Sequence, residues 1–159
     1  MEEHTTQISL ARKAMVTALL ALLGLAANYL NLSVCYNVNF IFGSIFSIVA
    51  VGFLGLGWGV AVALAASCYS YWLWNHPYAI IIFTAESLWL GIALKRGRQN
   101  ILLIDALYWL CLGIPLVVLF YGGVMGLGAQ STAIIAMKQP LNGVFNALMA
   151  PRCGAIGVG

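Results

Sequence analysis

From Ala14 onward, apolar residues run in long blocks separated by short polar or glycine-rich stretches. A membrane-crossing helix needs about 17–25 residues at 1.5 Å rise each. On that measure AMVTALLALLGLAANYLNLSV, from about Ala14 to Val34, predicts a first span. NFIFGSIFSIVAVGFL predicts a second, from about Asn39 to Leu54, and the GLGWG stretch (Gly55 to Gly59) reads as a turn. Further spans are expected over about Val60–Trp74, Pro77–Leu94, Ile101–Tyr121 and Ser131–Ala150. The runs are continuous rather than alternating, so the pattern is that of helices and not of a barrel. Spans two and three are short for a full crossing.

Composition changes this from a set of apolar helices into a membrane protein. Of 159 residues, 63% are hydrophobic and 7% charged, against about 45–50% and about 25% in soluble domains. Too few polar residues remain to coat a soluble domain of this size. In lipid every backbone polar group must find its partner inside the protein. The expected fold is therefore all-α: a polytopic domain of six transmembrane helices over residues 1–150, with a short tail at 151–159.

The charges then orient it. Arg12 and Lys13 precede span one, Lys95, Arg96 and Arg98 separate spans four and five, and Arg152 follows span six. With six spans all of these fall on one side, and the opposite loops carry no Lys or Arg. The positive-inside rule then places both termini in the cytoplasm. Tyr36, Trp72, Trp74, Tyr78 and Tyr121 gather near the outer boundary, as an aromatic belt does. The apolar run to Val34 favours a retained first helix over a cleaved signal peptide. Cys35, Cys68, Cys111 and Cys153 show no metal spacing, and small buried hydrophobes are expected of those in the spans. Gly59, Ala63 and Ser67 recur every four residues, a stripe that suits close helix packing.

Candidate chemistry lies in the polar residues at membrane depth. Glu86 stands nine residues from both Pro77 and Lys95, about 14 Å from either end of its span. A charge there costs about 2.5–3.5 kcal/mol even on a lenient scale, so it marks a functional hypothesis and needs a partner. Lys138 is the expected partner, being the one basic residue outside the cytoplasmic pattern. Gln139 follows it, Pro140 is expected to kink the helix, and Lys138, Asn142 and Asn146 form an inward-facing ladder at four-residue spacing. Asn28 and Asn31 in span one and Ser44 in span two are placed to meet that ladder. Glu86, Lys138, Gln139, Asn142, Asn146 and Asn28 are the candidate ligand-binding residues; interhelical amide glue is the competing reading. Asn75 is expected to cap the helix at Pro77, and His76 beside it to be a tolerated turn residue or a pH sensor. Asp105 reads as a structural carboxylate near a helix start. No metal, cofactor or nucleophile–base set emerges, and no enzyme is expected.

FGSIF (Phe42 to Phe46), WNHPYAIIIFTAESLWLG (Trp74 to Gly91), KRGRQN with LIDALYWL, and KQPLNGVFNALMA (Lys138 to Ala150) together resemble the N-terminal multi-pass sensor module of bacterial signalling proteins with histidine-kinase or diguanylate-cyclase outputs. The resemblance covers roughly residues 40–150. It implies an inner-membrane module that detects a small-molecule or membrane-borne cue and relays it through the last helix, paired as a homodimer or with a partner membrane subunit. Six short spans are also similar in architecture to the substrate-binding subunits of vitamin importers and to the rod-shape protein MreD. An importer subunit holding a small molecule in an intramembrane pocket, or a structural subunit of a larger complex, is thus the alternative. PRCGAIGVG departs from the sensor pattern, because Pro151 and the glycines end the helix where a linker to an output domain is expected. A detached sensor module, a truncated product and a stand-alone membrane subunit all fit that tail.

Overall fold

The computed structural model describes residues 9–30, 32–34 and 38–150. Asn31, Cys35, Tyr36, Arg152, Cys153 and the 151–159 tail lie outside the described residues. The chain is 84% helical and all-α in class. Among the described residues, four helical rods are long and apolar enough to cross a membrane: Leu10–Tyr29, Leu56–Trp74, Tyr78–Lys95 and Ile101–Val124.

Helix α1 (Leu10–Tyr29) starts before the expected Ala14, because Ser9 accepts the Arg12 amide and Arg12 and Lys13 fit within the first turn. It also stops before the expected Val34. Leu32–Val34 (β1) instead pairs antiparallel with Val38–Phe40 (β2), with Leu32 opposite Phe40. Helix α2 (Gly43–Leu54) follows and has only 12 residues, about 18 Å of rise. The second expected span is thus a short helix entered from an extended segment at Phe40–Phe42.

The GLGWG stretch is helix rather than turn. Only Gly55 breaks the chain, at φ 96°, and α3 (Leu56–Ser67) begins directly after it. After a one-residue break at Cys68, α4 (Tyr69–Trp74) completes the rod. Asn75 ends α4 in the left-handed conformation, φ 55°, rather than capping the next helix. Helix α5 (Tyr78–Lys95) returns, starting at Pro77 with no side-chain cap.

The rod from Ile101 to Val124 is not uniform. Helix α6 (Ile101–Tyr108) and α7 (Ile114–Val117) alternate with wider π-helical segments at Trp109–Gly113 and Val118–Val124. Pro115 has no N–H for the carbonyl a turn before it and its ring crowds that carbonyl, so a looser preceding turn relieves both problems. Helix α8 (Ala129–Met149) runs 21 residues with Pro140 inside it, about 31 Å of rise.

The core has two parts. Ile41, Ile82, Phe83, Tyr108, Trp109, Val117 and Tyr121 fill one, while Ile48, Leu90, Ile104 and Ala147 fill the other. Large apolar side chains such as Leu19, Leu22, Leu110 and Trp72 (84% exposed) face outward, as lipid-facing residues do. Cys68 and Cys111 are also exposed, not the buried hydrophobes expected of them. The small-residue stripe on α3 serves packing within the chain. Gly59 lies so close to α2 that a Cβ there meets the Val51 Cα at 2.8 Å. Gly57, two residues earlier, has open space around it.

Gly59→Ala is therefore expected to destabilise the protein by about 1–3 kcal/mol, since the α2–α3 backbones cannot separate freely. Gly57→Ala is expected to be neutral or slightly stabilising. Thermal unfolding of the two variants in one detergent checks the difference.

Candidate functional site

The residues that carry the site meet around the extended entry to α2. Phe40–Phe42 is non-helical backbone in the interior of a helical bundle, and its N–H and C=O groups need partners that lipid cannot supply. Two amides on α8 supply them. The Ile41 N–H donates to Asn142 Oδ1 at 3.2 Å, and Asn142 Nδ2 donates to the Ile41 carbonyl at 2.9 Å. Asn146 Nδ2 donates to the same carbonyl, also at 2.9 Å. One side chain thus pairs both backbone groups of a residue, as a neighbouring strand would. From α1, Asn28 Oδ1 accepts the Gly43 N–H at 2.6 Å, and Asn28 Nδ2 donates to the Ala66 carbonyl at 2.8 Å. Asn28, Asn142 and Asn146 are all buried.

One residue beyond Gly43, Ser44 donates to Glu86 Oε2 at 3.2 Å. The other oxygen, Oε1, accepts from the indole N–H of Trp109 at 2.9 Å. Glu86 is 1% exposed, and near it lies Asp105, 0% exposed, whose two carboxyl oxygens are buried without a hydrogen-bond partner. Asp105 and Trp109 are four apart and so share a face of the α6 rod. Helix α8 covers this cluster with Gly143, where a Cβ would collide with the Trp109 indole nitrogen and approach Glu86 Oε1 to 2.7 Å. Glu86 therefore joins α2, α5, α6 and α8. Its hydrogen-bond partners are two neutral donors, and a second carboxyl lies nearby.

Lys138 is not in this cluster. Its Nζ lies 5.1 Å above the Trp74 ring, at the opposite end of the bundle from the Lys95–Arg98 loop. The four-carbon stem carries the charge out along α8 to an aromatic face. Gln139 follows it there, with Nε2 3.3 Å from the Tyr121 hydroxyl. His76 completes this outer cluster, stacked against Tyr78 at 5.3 Å and Trp74 at 6.3 Å, with the Tyr121 edge at 4.9 Å.

The six candidate residues thus divide between two places. Asn28, Asn142, Asn146 and Glu86 gather on the Ile41–Ser44 segment and its neighbours; Lys138 and Gln139 lie at the outer end. Asp105 and Trp109 were missed as neighbours of Glu86, although their four-residue spacing on an apolar helix was visible. A polar cavity of about 10 Å³, lined by Asn28, Ser44, Ser47, Ser67, Ile41 and Phe83 among others, adjoins the central cluster. It has room for about one water molecule. Among the described residues no three His, Cys, Asp or Glu side chains are grouped as a metal site requires.

Asn142→Leu keeps the branched shape of the side chain and removes both pairings to Ile41. Asn146 still serves the carbonyl, but the Ile41 N–H is left buried and unpaired, at a cost of about 1–3 kcal/mol. A lower melting temperature than wild type, with Asn146→Leu affected less, is the expected outcome of thermal unfolding in detergent.

The chain matches no protein-family model, no curated protein and no solved structure.

Proposed function

We propose that this protein is a membrane-embedded sensory input module, in which the Glu86 cluster links events at the outer end of the bundle to the helices that reach the basic loop. The observation that carries this reading is the convergence of four elements on one buried carboxyl. Ionisable groups inside membrane helices are costly and are characteristic of functional positions. Here the cost falls on a joint between helices rather than on an open cavity. The 10 Å³ space beside the cluster is far below the roughly 300–1,000 Å³ of a small-molecule pocket, and it suits a joint between helices. The sensor-like motifs of the sequence favour the sensor reading.

In this reading the bundle makes six passages of the membrane. Helix α8 is one of them, and the β1–β2 hairpin with α2 makes another in two parts. The basic residues set both termini on the cytoplasmic side of a bacterial inner membrane. The cue acts at the outer cluster, α8 relays it, and a second copy or a partner subunit receives it.

Glu86→Gln keeps the size of the side chain and one acceptor oxygen for the Trp109 indole, while removing its charge and its titration. A strain carrying this variant is expected to change its transcript or cyclic-dinucleotide profile while the protein stays folded and membrane-inserted. An unchanged profile alongside altered uptake of a small solute would favour the importer; no change in either would favour a structural subunit.

A further inference from the structure

We infer that His76 is a proton-binding site at the outer end of the bundle, and that its protonation releases the turn between α4 and α5. As the identity of a cue this rests on the sensory reading above; as a binding site it stands on its own geometry.

The imidazole is 8% exposed and its walls are aromatic. Tyr78 and Trp74 lie nearly parallel to it, at 26° and 21°, and Tyr121 meets it edge-on at 86°. Phe120 stacks on the far side of this group, 4.8 Å from Tyr78. Nδ1 is sealed from solvent without a hydrogen-bond partner, and so is Gln139 Oε1, on the residue that bonds Tyr121. A neutral ring tolerates such a niche; a charged one gains no acidic partner there among the described residues.

The groups facing His76 from each packed element sharpen the point. Helix α4 contributes Trp74, α5 contributes Tyr78, the π-helical segment contributes Tyr121, and α8 brings Lys138 to the same Trp74 ring. The one charged group among them is positive. The chain has four acidic residues, Glu2, Glu3, Glu86 and Asp105. The two that are described lie in the central cluster, not here. Protonating His76 therefore adds a positive charge against the Trp74 ring that Lys138 also faces, with no acidic side chain among the described residues beside it.

The turn is built to yield. Helix α4 has six residues, Asn75 sits in the left-handed region, and α5 begins without a side-chain cap. The aromatic stack around His76 is what holds the segment down. Burial keeps the imidazole below its ordinary value of 6.5, partly opposed by its own main-chain carbonyl. In the open turn the ring regains the ordinary value and binds protons more readily. The closed turn is thus fully favoured above pH 6.5, and that preference is lost progressively as the pH falls below it towards the lower, closed-state value.

The chain has two histidines, His4 and His76, so ¹⁵N-histidine spectra of the full chain in nanodiscs carry an internal reference. His76 is expected to titrate at lower pH than His4. Amide exchange over residues 74–82, corrected for its intrinsic pH dependence, is expected to rise about tenfold between about pH 7.5 and about pH 5. His76→Phe keeps the ring packing and is expected to abolish the rise. Persistence of the rise in that variant, or a His76 that titrates with His4 while exchange stays flat, overturns the proposal. A turn that opens with acid in a strain whose signalling ignores acid would leave the proton site standing and count against the sensory reading instead.

Discussion

The fold depends on the pairing of a few backbone groups at Ile41–Gly43. A chain in lipid can leave helical geometry only where protein replaces the missing hydrogen bonds. Here Asn142 and Asn146 reach in from α8 and Asn28 from α1. Three amides on two helices therefore fix where the extended segment sits, and with it the start of α2. That start carries Ser44 to Glu86. The amide glue and the candidate site are consequently not rival readings of the same residues. The first positions the second.

The electrostatics follow from how each charge avoids the hydrocarbon. Lys138 has a long flexible stem on a helix near the outer end, and it takes its charge to the Trp74 face. Glu86 has a short stem near the middle of α5 and no such route. It is held instead by the Trp109 indole and the Ser44 hydroxyl, with Asp105 alongside. Pairing Glu86 with Lys138 is attractive on charge alone. Desolvating both ions would have required the attraction to exceed two burial penalties, whereas separate solutions leave Lys138 against the Trp74 ring and Glu86 with the Ser44 and Trp109 donors.

Much of this was legible in the residue pattern, for identifiable reasons. Long apolar runs marked the rods that became α3–α4, α5 and the Ile101–Val124 segment, and the four-residue spacing of Asn142 and Asn146 put them on one face. What failed was local backbone choice. Asn39–Leu54 has helical hydrophobicity throughout, yet β2 occupies its first residues because Leu32–Val34 lies opposite to pair with them. GLGWG looked like a turn from its glycines, but only Gly55 takes a positive φ; Gly59 is there for close approach to Val51. Asp105 appeared to suit a helix start. Its true neighbour, Glu86, lies on another helix, and the relative height of two helices is set by contacts such as Trp89 Nε1 to the Ile104 carbonyl at 3.2 Å, which no spacing rule contains.

Helices α5 and α8 each pass through both clusters, so the two clusters are built on the same two rods. Tyr78 and Glu86 are eight residues apart on α5, about 12 Å along a continuous helix. On α8, Lys138 and Gln139 belong to the outer cluster while Asn142, Gly143 and Asn146 belong to the central one. The α8 contact at Gly143 has no side chain to bend aside: the backbone rests on the Trp109–Glu86 hydrogen bond, with a Cβ already excluded. Packed interfaces of this kind do not deform continuously; they hold one arrangement or change to another. Displacing Tyr78 or Gln139 must therefore either be absorbed at the outer end or reach Glu86. The left-handed Asn75 and the uncapped start of α5 offer slack on the α4 side of His76, but α5 from Tyr78 onward and α8 across Pro140 are unbroken. On that side the two helices run without a break to the position where α2, α5, α6 and α8 meet at Glu86.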